Sequence, residues 1–260
     1  MAPYKSAAAT CLVALYALQP VAADPTITYK FKAVNAEDDA YLAAKLVRNG
    51  KLPVHISEVA KNEDLVLGLQ KKVAPSEDQE EQSGTSSESC QKLMETSGLK
   101  DIFHHAFPDS ESYNYSELFQ EALDQGLAVF KENGYQNKWD KIWKSDAGAS
   151  LAYLLASNST MIGCVIGKCI KETTQADSEP HSTEEPTGED VLFCELRPAA
   201  DKSKAPFDEE YFNGLIARTD KLASMTEDDL KAPSNDATAA AAVHTILAAG
   251  LIAMLVAASA

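Results

Sequence analysis

Two apolar runs at opposite ends of the chain decide which residues remain to build a fold. At the start, Lys5 precedes an apolar stretch from Ala7 to Leu18, then Gln-Pro-Val-Ala-Ala before Asp24, the order of a cleavable secretory signal. Cleavage is expected after Ala23. An N-terminal core helix is the alternative, and Pro20 with the small residues Val21, Ala22 and Ala23 argues against it. At the other end, Ala232-Pro-Ser-Asn-Asp-Ala-Thr leads through alanines to a run from Thr245 to Ala260 without charge. Small residues, a weakly polar spacer and a greasy tail form the pattern exchanged for a glycosylphosphatidylinositol (GPI) lipid. Residues 237–260 are long enough to cross about 30 Å of hydrocarbon, but a retained span is normally followed by cytoplasmic Lys or Arg, and the last cation is Lys231. The expected attachment residue is Ser234, with Asn235 and Asp236 as alternatives. The expected organisation is therefore a signal at 1–23, a single extracellular domain at 24–231, and an attachment signal at 232–260.

Loss of Lys5 and of Asp236 cancel, so the formal charge of −16 belongs to the mature domain. A surface this acidic argues against nucleic acid and against direct docking to anionic lipid. Of the five cysteines, Cys11 leaves with the signal; Cys90, Cys164, Cys169 and Cys194 remain. An even number in an oxidising compartment implies two disulfides, for which three pairings exist. Zinc fits poorly: Cys164 and Cys169 are separated by four residues, and no second close Cys or His pair accompanies them.

Apolar periodicity predicts helices over Glu37 to Asn49, over His55 to about Lys72 with a break near Asn62, briefly over Cys90 to Thr96, and over Asn114 to Lys131. In the last, Tyr115, Leu118, Phe119, Ala122, Leu123, Leu127 and Phe130 mark a core face, and Gly126 on that face would admit a close neighbour. Ala74 to Ser89 carries no large apolar residue and is expected to be a mobile acidic loop. Leu151 to Leu155 and Met161 to Ile170 are short apolar runs that read as two strands. Glu172 to Asp190, with Pro180, Pro186 and Gly188, reads as a second solvated loop before a strand at Val191 to Leu196. Asp208 opens a helix bearing Tyr211, Phe212, Leu215 and Ile216, and a charged stalk follows from Met225 to Lys231. Helices, then strands, then a helix give an α+β layout, with a small sheet covered by helices.

The segment Leu151-Ala-Tyr-Leu-Leu-Ala-Ser-Asn-Ser-Thr-Met-Ile-Gly-Cys-Val-Ile-Gly-Lys-Cys, with Leu192-Phe-Cys-Glu-Leu and Pro206-Phe-Asp-Glu-Glu-Tyr-Phe-Asn-Gly-Leu-Ile-Ala-Arg-Thr, resembles the surface antigens (SAG) of the coccidian parasite Eimeria. The resemblance runs from Asn114 through Lys231 and also fits both ends. It implies a CAP-like three-layer α/β/α sandwich, since that family is related in fold to the CAP superfamily of secreted proteins. CAP proteins often carry two histidines and two acids in a central cleft, with the strand histidine fourteen residues before the Gly-Cys cysteine. That count lands on Ser150. A hydroxyl cannot replace imidazole as ligand or base, so metal-dependent or hydrolytic chemistry is not expected. The disulfides expected are Cys90–Cys164, tying the helical half to the sheet, and Cys169–Cys194, joining neighbouring strands across the acidic loop.

His104 and His105 are adjacent, which on a helix makes a poor joint metal site; one packed and one exposed is the expectation. No serine elbow, phosphate loop or zinc-protease motif is present. Asn114-Tyr-Ser and Asn158-Ser-Thr are glycosylation acceptor triplets, each also readable as a helix cap or a turn. Trp139 and Trp143, flanked by Lys138, Lys141 and Lys144, form a basic aromatic patch that is expected to pack with its lysine tips in water. The sequence thus leads to a non-catalytic GPI-anchored surface antigen on the outer face of the plasma membrane. It would need no cofactor and would meet a host-cell receptor or host antibodies. A carrier of sterol or other lipid is the alternative.

Overall fold

The computed structural model describes residues 25–75, 89–136, 139–175 and 181–231. Four long strands form a sheet in the order β1 (Thr26–Asn35), β4 (Met161–Gln175), β5 (His181–Arg197) and β3 (Phe103–Pro108), all antiparallel; the two-residue β2 (Ala60–Lys61) pairs with β4 in parallel. The helices are α1 (Asp38–Asn49), α2 (Glu63–Val73), α3 (Cys90–Thr96), α4 (Tyr115–Asn133), α5 (Trp139–Lys144), α6 (Asp146–Leu154) and α7 (Glu209–Ala217). The protein is α+β.

Strand parity distributes the helices. Side chains alternate faces along a strand, so Gly163, Val165, Gly167 and Cys169 of β4 share one face and Ile162, Cys164 and Ile166 the other. A Cβ on Gly163 would lie 2.7 Å from the Val66 nitrogen, so the first turn of α2 rests directly on the sheet there. α3 is bonded to the same face through Cys169. On the opposite face, the Tyr41 hydroxyl of α1 accepts from the Cys164 N–H at 3.2 Å, and Phe103 of β3 stacks on Phe119 of α4 with centroids 5.2 Å apart. Helices therefore cover both faces, and the core is buried on either side of the sheet.

Several elements follow their sequence signals. Asn62 accepts from the Leu65 N–H at 2.9 Å and starts α2 at the expected break, but the first half of that expected helix, from His55, is irregular chain leading into β2. Asn114 likewise caps α4, and the α4 face named from periodicity is buried except for the half-buried Leu118. At Gly126 a Cβ would meet Leu151 of α6 at 2.5 Å, the close neighbour that the glycine foretold. Gly50 ends α1 for a packing reason rather than a left-handed turn: its φ is −61°, and a Cβ would meet Leu46 O and Met225 Sδ, each at 2.7 Å.

Two further expectations fail. Leu151 to Leu155 is not a strand; Leu151–Leu154 is the last turn of α6, which Ser145 caps by accepting from the Gly148 N–H. Ser150, the position reached by counting for a strand histidine, is therefore on a helix. The Glu172 to Asp190 region is not a solvated loop, because β4 runs on to Gln175 and β5 starts at His181. The pairing Thr173 with Thr183 and Glu172 with Glu184 continues the ladder. Backbone hydrogen bonds and ion pairs hold this ribbon, which is why no apolar alternation announced it. Of the other expected acidic loop, residues 76–88 lie outside the described residues, as do 1–24 and 232–260 with both terminal signals.

Candidate functional site

Both disulfide partners differ from expectation. Cys164 bonds Cys194, and Cys90 bonds Cys169, with Cα separations of 4.2 and 6.1 Å. The cause is parity: Cys164 and Cys169 are five residues apart on one strand, so they point to opposite faces. Cys194 stands directly across the ladder from Cys164, whereas Cys169 faces the layer in which α3 carries Cys90. All four cysteines are paired, as the count implied.

His104 and His105 lie on β3, not on a helix, and both are buried; the expectation of one exposed ring is corrected. As strand neighbours they still point apart. His104 Nδ1 lies 2.9 Å from Ile102 O, with Nε2 3.4 Å from Asp146. His105 Nε2 lies 3.4 Å from Glu121, and burial holds its pKa below the usual value, opposed by that carboxylate. Beside them, the Ser150 hydroxyl donates to His104 O at 2.7 Å and accepts from His104 N–H at 2.9 Å. β3 is an edge strand with unpaired backbone groups, and Ser150 serves two of them. Among the described residues, no group of three His, Cys, Asp or Glu side chains is arranged to hold a metal ion.

Two arginines that no sequence motif singles out, Arg48 and the partly buried Arg218, reach into the core. Arg48 is wholly buried; Nη1 donates to Leu154 O at 2.6 Å and Nη2 to Ser57 O at 2.7 Å and Ala156 O at 3.1 Å. Burial lowers its pKa to about 10. Arg218 donates to Leu46 O, Val47 O and Gly50 O at 3.0 to 3.1 Å. Each guanidinium thus serves carbonyls at a helix C-terminus, Arg48 for α6 and Arg218 for α1, where a cation also meets the negative end of the helix dipole. A signal existed: Arg48 falls four residues after Ala44, on the apolar stripe of α1.

Beside Arg48 opens a cavity of about 440 Å³, lined by Lys45, Asn49, Glu58, Glu227 and Lys231 among others. Lys231, the last residue described, is part of its wall. Ser234, Asn235 and Asp236 lie outside the described residues.

Trp139 and Trp143 are partly buried against the core, as expected. Trp139 meets Phe130, Tyr135 and Phe207 edge-on at 5.3 to 5.9 Å, and Trp143 Nε1 donates to Lys204 O at 3.1 Å. Lys141 and Lys144 are exposed; Lys138 lies outside the described residues. Asn114 and Asn158 are both exposed. Among the described residues, no helix is long and apolar enough to cross a membrane.

No protein-family model matches this chain, and no curated protein matches it. Among solved structures it is similar to the crystal structure of the Eimeria tenella surface antigen protein SAG19, with 17% sequence identity over 72% of this chain and 98% of that one, at a TM-score of 0.43.

Proposed function

We propose that this chain is a surface antigen held on the outer face of the plasma membrane by a GPI lipid, a non-catalytic domain displayed for host-cell attachment or immune contact. On this reading residues 1–23 are removed as a signal, 24–231 form the single extracellular domain, and 232–260 are exchanged for the lipid at Ser234, Asn235 or Asp236. The observation that carries it is the pairing of all four cysteines of the expected mature domain in two disulfides, between terminal segments with the composition of secretion and lipid-attachment signals. Helices on both faces of the sheet support a CAP-like sandwich. The lipid-carrier alternative finds no support in the cavity of about 440 Å³, whose walls include Lys45, Glu58, Glu227 and Lys231; burying such charges against a sterol would be unfavourable.

The test is treatment of intact cells with phosphatidylinositol-specific phospholipase C, followed by partition between detergent and water. Release into the aqueous phase is the expected result. Retention with the 237–260 peptide still detectable would overturn the anchor. The attachment role is tested separately with soluble domain on host cells, where absence of saturable binding would remove it.

A further inference from the structure

The turn between α6 and β4 presents one side chain outward on a fixed frame. Ser157 N–H donates to Pro206 O at 2.9 Å, and Ser57 N–H donates to Ser157 O at 3.2 Å. The Ser159 hydroxyl donates to Pro198 O at 2.6 Å, and Thr160 N–H to Arg197 O at 2.9 Å. Between these anchored positions Asn158 is exposed, as is Thr160, which completes the acceptor triplet. The other triplet differs, because the Asn114 side-chain oxygen is engaged in capping α4.

Asn158 also stands on the rim of a groove of about 390 Å³, whose walls include Tyr135, Pro198, Asp201, Lys204 and Pro206. The Tyr135 ring is held in place: its hydroxyl donates to Phe207 O at 2.9 Å, and it packs edge-on against Trp139 and Phe212. An aromatic ring and two prolines offer a surface for the C–H face of a pyranose, and Asp201 and Lys204 offer partners for its hydroxyls. A sugar joined to the Asn158 side chain would begin at this rim.

We propose that Asn158 carries an N-linked oligosaccharide whose first N-acetylhexosamine lies in this groove against Tyr135, Pro198 and Pro206. The donor is a polyprenyl-diphosphate oligosaccharide. The Asn158 Nδ2–C1 bond forms as the bond from C1 to the diphosphate oxygen breaks; the amide nitrogen gives up one proton and the polyprenyl diphosphate leaves. The proposal rests on the secretion step of the function proposed above, but not on the lipid anchor.

The experiment uses the full chain expressed in a eukaryotic secretory host. Peptide N-glycosidase digestion in heavy-oxygen water should convert Asn158 to heavy-labelled Asp, and Asn158→Gln should remove one glycan's worth of mass. An unmodified Asn158 in protein whose N-terminus is Asp24 would overturn the site while leaving secretion intact; a chain still beginning at Met1 would overturn both. Placement in the groove is read from enzyme release of the glycan at Asn158, expected to be several-fold slower from native than from denatured protein. Equal rates would overturn the packing. Faster amide exchange over residues 199–204 after removal is the second reading expected, and it requires no variant to fold.

Discussion

Arg48 shows how a single cation can be buried without a counter-ion. Its hydrogen-bonding nitrogens meet carbonyls that the end of α6, the turn after it and the segment at Ser57 would otherwise leave unserved, so charge and acceptors solve each other's desolvation. Replacing it by Met keeps much of the volume and strands those carbonyls at once. At about 1–3 kcal/mol for each buried group left unsatisfied, Arg48→Met should lower the unfolding free energy by roughly 3 kcal/mol or more, read from the urea midpoint of the oxidised domain. A loss under about 1 kcal/mol would mean that the adjoining cavity admits water to the same carbonyls. The residue scale is also where sequence is least informative about partners. Position 48 on the stripe of α1 marked a buried cation, but nothing local could say that acceptors such as Leu154 O and Ala156 O lie more than a hundred residues away.

Among the elements, those with one wet face were the legible ones. α1 and α4 bury one stripe and expose the other, so their periodicity survives in the sequence. α6 is buried on nearly every side, so its apolar run carried no period and was mistaken for a strand. β1 was missed although Ile27, Tyr29, Phe31 and Ala33 alternate with Thr28, Lys30 and Lys32, a period-two signal. The outer part of the β4–β5 hairpin has the opposite problem: it is wet on both faces and held in part by charge. Glu184 on β5 meets Lys30 at 2.8 Å and also pairs with Lys32, both on β1, and hydrogen bonds from these two hold its pKa down to about 2. A carboxylate with a depressed folded pKa supports the fold above its ordinary range near 4.5 and loses that support as pH falls towards 2. Amide exchange at Thr183 to Glu185 should therefore match between native protein and Glu184→Gln at pH about 2 and differ above pH about 5, the variant exchanging faster. Identical exchange across that window would remove Glu184 from the account of the ribbon.

For the whole molecule the covalent links decide how the layers are joined. Cys164–Cys194 lies within the sheet, whereas Cys90–Cys169 bonds the α3 layer to it and closes a separation of 79 residues. A loop of that size corresponds to about 4 kcal/mol in the chain-entropy view. The double variant Cys90→Ser, Cys169→Ser should lose about that much, read from the denaturant midpoint, and should expose the 89–96 segment to proteolysis. Non-reducing peptide mapping of the native protein checks the connectivity; a Cys90–Cys164 peptide would overturn it. The number of disulfides was legible because it needs only composition and compartment. Their partners were not, because the polar ribbon hid the true extent of β4 and β5 and with it the register that sets Cys164 opposite Cys194.

Lys231 sits near one end of β4. Lys231 shares its cavity with Glu58 and Val59, which lead into β2 beside the first residue of β4. From there β4 climbs fifteen residues to Gln175, a rise of about 45 Å at the usual strand spacing. On the anchored reading proposed above, a tether attached near that foot would make the sheet a mast, with Gln175 and His181 at the end farthest from the membrane and first to meet an approaching cell or antibody.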